Sequence, residues 1–207
     1  MLTKNKDLHG NVPDKSPVVL LLIDVVNDLD FEGNEAIVKS ARFMAKRIKT
    51  LKVRATRAGI VSIYVNDNFG RWKSDFNAQV KHCLEQKSPG QFLAQILRPD
   101  PKDYFVLKPK HSGFFSTTLD TVLRYLEAHT LILTGIAADR CVLFTANDAF
   151  LRDYRVFVPS DCVVSNTAEE KRSALALMER VLRADVSRSD TLNLSQLRRC
   201  KKAERKI

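Results

Sequence analysis

Three residues of different chemistry each stand at or just past the end of a short apolar run. Asp24 follows Val18 to Ile23, Lys108 follows Tyr104 to Leu107, and Cys141 comes seven residues after Leu131 to Thr134. A carboxylate can accept a proton, an ammonium can stabilise an anion, and a thiol can attack a carbonyl carbon. Singly, each has an ordinary explanation. Aspartate is common where a strand turns, lysine in a solvated loop, and free cysteine in an apolar core. Asp139 is placed to cap the helix after Gly135-Ile-Ala-Ala138, which puts Cys141 in a first helical turn, where the helix dipole favours thiolate over thiol.

The elements around these residues alternate. The run Pro17 to Asp24 reads as a strand buried on both faces. Residues 34–58 place Ala36, Ile37, Phe43, Met44, Ile48, Leu51 and Ala55 at helical steps and stop at Gly59. Strands are expected at Ile60 to Val65, Tyr104 to Leu107, Leu131 to Thr134 and Arg155 to Val158, with less regular helical pieces over 71–101. Helices are expected at about Thr117 to Ala128, Asp139 to Asp153 and Thr167 to Leu182, the last opened by a Thr167/Glu170 capping box. Alternation of this kind predicts an α/β protein: a single-domain three-layer α/β/α sandwich around a mostly parallel central sheet of about five or six strands. In such a sheet ligands bind outside the carboxyl ends of the strands. Asp24, Lys108 and Cys141 should therefore face one crevice.

Composition narrows the function. The chain has 207 residues, 44% hydrophobic and 28% charged, within the range of ordinary globular domains. Its longest wholly apolar run is too short for a membrane span or a typical signal core, so no membrane partner is expected and the cytoplasm is the expected compartment. Of the net charge of +10, half is gathered in residues 195–207, where six basic residues face Glu204. The domain is expected over 17–192, with a polar leader at 1–16 and a basic tail at 193–207. No aromatic residue interleaves the tail charges, which argues against nucleic acid as a partner. Cys83, Cys141, Cys162 and Cys200 form no Cys-x-x-Cys pair, so neither zinc nor a disulfide framework is expected.

Three ordered segments carry a family likeness: Leu21-Leu-Ile-Asp-Val-Val-Asn-Asp-Leu-Asp-Phe31, Lys108-Pro-Lys-His-Ser-Gly-Phe114 and Gly135-Ile-Ala-Ala-Asp-Arg-Cys-Val142. Over about residues 17–192 the chain resembles the isochorismatase-like cysteine hydrolases, among them nicotinamidases, N-carbamoylsarcosine amidases and isochorismatases. The resemblance implies a catalytic set of Asp24, Lys108 and Cys141. Lys108 is chosen over Lys110 because it stands six residues before Phe114. The resemblance further implies a cis peptide between Ile136 and Ala137, an oxyanion hole from the backbone N–H groups of Ala137 and Cys141, and self-association into a homo-oligomer. The implied reaction cleaves a small amide or carbamoyl compound through a thioester. Asp24 acts as base, first for the thiol and then for water, with Lys108 as its electrostatic partner. The alternatives are a vinyl ether hydrolase of the isochorismatase type, or a non-catalytic scaffold binding RNA or another partner through the basic tail.

Two departures from the family pattern stand out. Val26 occupies a position where the family usually has glutamine, so a polar contact near Asp24 is expected to be missing. Asp67 matches the region where many nicotinamidases bind a metal, yet no histidine follows it closely and His82 reads as a lone helix residue, so no metal and no cofactor are expected. Phe31, Trp72 and Phe114 are the expected aromatic walls of the substrate pocket. His111 is read as a polar wall or loop residue. Pairing of Cys141 with His111 or His129 is set aside, His129 falling on the far side of the sheet.

Overall fold

The computed structural model describes residues 14–32, 34–68, 75–85 and 87–199. Its central strand, β1 (Val18–Ile23), is buried throughout. Val18, Leu20 and Leu22 enter one apolar cluster, and Val19, Leu21 and Ile23 enter another. Successive side chains of a strand point to opposite faces, so an unbroken apolar run is what a strand covered on both sides requires. Around it stand β2 (Val61–Asp67), β3 (Tyr104–Lys108), β4 (Thr130–Ile136), β5 (Arg155–Phe157) and β6 (Val163–Val164). Their order is β3-β2-β1-β4-β5, β6 also pairs with β4, and every pairing is parallel.

One face is covered by α1 (Glu35–Arg57), α2 (Phe76–Glu85) and α3 (Gln91–Ile96). The other carries α4 (Leu119–Tyr125), α5 (Leu143–Leu151) and α6 (Ala168–Leu182). The three-layer α/β/α architecture with a parallel sheet is thus the one the alternation predicts. The α6 capping box forms with both reciprocal hydrogen bonds. On α1, Ile37, Met44, Ile48, Leu51 and Ala55 face the core, but Ala36 is exposed and Phe43 is 57% exposed. A lysine replaces them in the buried stripe: Lys52 lies against the sheet and reaches Asp100 at 2.7 Å and Asp103 at 2.5 Å.

The chain past 192 continues in α7 (Leu194–Arg199), whose Leu194 joins the core on the α1 face. Arg198 donates to the Ala58 carbonyl at 3.0 Å and its guanidinium lies over Gly59. Residues 1–13 of the leader and 200–207 of the basic tail lie outside the described residues.

The strand order reverses between β1 and β4. From β1 the chain winds outward through β2 to β3, then returns to β4 on the other side. Such a switch point opens a crevice at the carboxyl ends. Its floor is set by a close approach: a Cβ on Gly135 would lie 1.9 Å from the Ile23 carbonyl oxygen, and Gly135 has φ +116°. Gly135→Ala is therefore expected to lower stability by at least about 3 kcal/mol in urea titrations. Thr167→Ala, which removes only the α6 cap, is expected to cost about 1 kcal/mol.

Candidate active site

Asp24 leaves β1 with φ +50°, a left-handed conformation that aspartate tolerates better than most residues. Its N–H donates to the Val65 carbonyl at 3.0 Å. One carboxylate oxygen, Oδ1, accepts the Asp67 N–H at 2.7 Å. The other, Oδ2, lies 2.9 Å from Lys108 Nζ. Lys108 ends β3, which is two strands away from β1, a separation of roughly 10 Å at ordinary strand spacing. Its four-carbon stem bridges most of that gap, and its side chain is wholly buried. The same ammonium lies 3.6 Å from Asp67 Oδ2 and donates to Cys141 Sγ at 3.4 Å.

Cys141 arrives from β4. The peptide between Ile136 and Ala137 is cis. Residues Ala138–Val142 form a wide π turn before α5, in which the Ala137 carbonyl accepts N–H groups from Arg140 and Val142 at 3.1 Å each. Asp139 does not cap this turn. The N-cap position is Ala137, and Asp139 lies 3.5 Å from Arg140 Nε instead.

The electrostatics follow from burial. Removal from water pushes the Asp24 carboxyl above its ordinary value, against the pull of Lys108, the thiol and the Asp67 N–H. For Lys108 burial works downward, but Asp24, Cys141 and Asp67 together outweigh it and the ammonium is held. Burial, reinforced by the Asp24 charge and opposed by Lys108, pushes the Cys141 thiol up to about 12. Burial and the facing carboxylate thus work against the thiolate that a helix end favours. The Asp24 carboxylate lies inside hydrogen-bonding reach of the thiol.

A family model, the isochorismatase domain, matches residues 18–190. The chain belongs to the isochorismatase family. It is 36% identical over 178 residues to the uncharacterized isochorismatase family protein YaaI of Bacillus subtilis, covering 86% of this chain and 97% of that one. It is 30% identical to the ureidoacrylate amidohydrolase RutB of Cronobacter sakazakii over 74% of this chain and 76% of that protein. Among solved structures, N-carbamoylsarcosine amidase from Thermoplasma acidophilum superposes with a TM-score of 0.67 at 29% identity, covering 85% of this chain and 98% of the other. The protein is accordingly an isochorismatase-like hydrolase.

Within this isochorismatase-family fold the expected pocket walls separate. Phe31 is 44% exposed at the surface. Phe114 is buried in the core layer against Tyr154, with the Arg152 guanidinium over its ring, so its face is used inside the fold. Trp72 lies outside the described residues. His82 pairs with Asp28 at 3.4 Å. Among the described residues no three His, Cys, Asp or Glu side chains gather to hold a metal ion.

Two residues gain roles that the sequence did not assign. Val26 is buried in the core, and Asn66 grips its backbone from both sides, donating to the Val26 carbonyl at 2.7 Å and accepting its N–H at 3.3 Å. A polar clamp therefore exists beside Asp24, supplied from β2. His111, expected as a polar wall or loop residue with its pairing to Cys141 set aside, has its Nδ1 3.7 Å from Cys141 Sγ, whereas His129 precedes β4 at the opposite end of the sheet. Neither contact has a local signal, since each joins segments at least 30 residues apart.

Lys108→Met leaves Asp24 buried without its cation, an expected loss of about 3–5 kcal/mol at neutral pH. The Asp24 carboxyl titrates higher in the fold than in the unfolded chain, and higher still without Lys108, so its ionisation opposes folding. The deficit of the variant is thus largest above the folded-state value and shrinks as pH falls through it. Paired urea titrations from about pH 8 to 4 measure this; a deficit that stays constant contradicts it.

Proposed function

We propose that the protein hydrolyses a small amide or carbamoyl compound through a thioester on Cys141. It is a hydrolase of C–N bonds other than peptide bonds, in keeping with the amidohydrolase and amidase among its relatives. The observation that carries the residue roles is that one buried ammonium, Lys108 Nζ, lies both 2.9 Å from the Asp24 carboxylate and 3.4 Å from the Cys141 sulfur. As a carbonyl carbon approaches, the thiol proton passes to Asp24 and sulfur attacks. Lys108 stays charged throughout, offsetting the carboxylate before transfer and the developing thiolate during it. The backbone N–H groups of Ala137 and Cys141 receive the oxyanion, an effect of about 2.7–4 kcal/mol per donor in the best measured case. The amine leaves, and water releases the acid from the thioester.

The protein works in the cytoplasm as a homo-oligomer. No helix among the described residues is long and apolar enough to cross a membrane.

A screen of small amides, ureas and carbamates with ammonia detection finds the substrate. Cys141→Ala and Cys141→Ser are expected to lose activity by at least about 1,000-fold with an unchanged melting transition, and Asp24→Asn by roughly 100-fold or more. Rapid quenching with the substrate is expected to trap an acyl group on Cys141. Wild-type amidase activity in Cys141→Ala would remove covalent catalysis, and turnover without an adduct would favour a direct Asp24-assisted hydrolysis.

A further inference from the structure

Serine and threonine hydroxyls in helices often bond back to the carbonyl of the preceding turn. Ser40, Thr50 and Thr56 do so on α1, donating to the Ala36, Lys46 and Lys52 carbonyls, and all three residues are exposed. Thr145 of α5 makes the same bond in a different setting. It is wholly buried, and the carbonyl it donates to, at 2.6 Å, is that of Cys141. Its oxygen also accepts the Gly113 N–H at 3.0 Å. One hydroxyl therefore spans the turn that carries the sulfur and the loop that follows Lys108.

Gly113 has no room to slide. A Cβ there would lie 2.8 Å from the Val65 side chain and 3.5 Å from the Thr145 methyl group. Val65 in turn accepts the Asp24 N–H through its carbonyl at 3.0 Å. The main-chain surroundings of Asp24, of Cys141 and of the loop after Lys108 thus meet at Gly113 and Thr145. A second tie, from Ser112 Oγ to Asp148 Oδ2 at 2.5 Å, fastens the same loop to α5 without touching Cys141.

We propose that Thr145 is a positioning residue for the nucleophile. It acts through Cys141, fixing the main chain that aims Sγ at Lys108 and Asp24 and presents the Cys141 N–H to the oxyanion. This role presupposes the Cys141 thioester proposed above. Sγ lies 3.4 Å from Lys108 Nζ, and a displacement of about 1 Å among reacting groups costs on the order of 100-fold in rate. Thr145 holds nothing in the crevice itself, so losing its hydroxyl lowers the maximal rate and leaves binding alone.

p-Nitrophenyl acetate is the probe, its first equivalent of nitrophenolate reporting acylation. Thr145→Val keeps the shape of the side chain and removes the hydroxyl, Thr145→Ser keeps the hydroxyl, and Ser112→Ala cuts the other tie between loop and α5. Thr145→Ala repeats the loss of the hydroxyl with less bulk, should Thr145→Val not fold. Each variant is assayed below its own melting transition. Thr145→Val is expected to be acylated at least about tenfold more slowly at saturation, with the half-saturating concentration within about twofold of wild type. Thr145→Ser and Ser112→Ala are expected within about threefold of the wild-type rate, whatever Ser112→Ala loses in melting temperature. A Thr145→Val rate equal to wild type overturns the role. So does an equal slowing in Ser112→Ala, because a loosened loop then suffices, and so does a loss that Thr145→Ser fails to restore. Nitrophenolate release by Cys141→Ala at the wild-type rate, or wild type without acetyl-Cys141 by mass spectrometry, is a different failure, that of the thioester on which the role rests.

Discussion

A buried positive charge has to be surrounded by groups that can share it, and beneath the strand ends of this protein that charge is the Lys108 ammonium. It draws Asp24, Asp67 and the Cys141 thiol into one cluster beneath the carboxyl ends of the strands. The buried Asp24 carboxylate is costly to hold alone and becomes tolerable through this cation. The result is a thiol, a carboxylate and an ammonium held in mutual contact.

That cluster depends on backbone geometry more than on any side chain's own preference. The switch of strand order between β1 and β4 brings residues 24 and 141 together although they are 117 positions apart in the chain. The Gly135 approach to the Ile23 carbonyl lets β4 run on beside β1 to the point where the turn bearing Cys141 begins. Asn66 secures the stretch after Asp24 by satisfying both backbone groups of Val26, so an apolar residue sits there without leaving a buried amide unpaired. On the other wall, Ser112 and Gly113 bond to Asp148 and Thr145 of α5, and Thr145 bonds to the Cys141 carbonyl, tying the loop after Lys108 to the turn that carries Cys141.

The places where sequence reasoning misplaced a residue share one physical cause. Phe114 stands near a strand end and is aromatic, which suits a pocket wall, but Tyr154 and Arg152 from the far end of α5 and beyond enclose it in the core. Lys52 breaks the apolar stripe of α1, yet Asp100 and Asp103 from a distant segment make its burial possible. In each case the deciding partner lies far away in the chain, where periodicity carries no information.

What the amino-acid order determined unaided is the part that depends on local periodicity and covalent chemistry. It specified buried strands from unbroken apolar runs, helices from three- and four-residue spacing, the Thr167 cap, and the reactive types at three strand ends. Tertiary structure alone decided which partners face those reactive groups: Asp67 and Asn66 beside Asp24, His111 beside the sulfur, and the interior for Phe114. Strand and helix formation is governed by neighbours a few residues away. Desolvation and charge pairing act through space, and only the packed sheet brings together the groups between which they act.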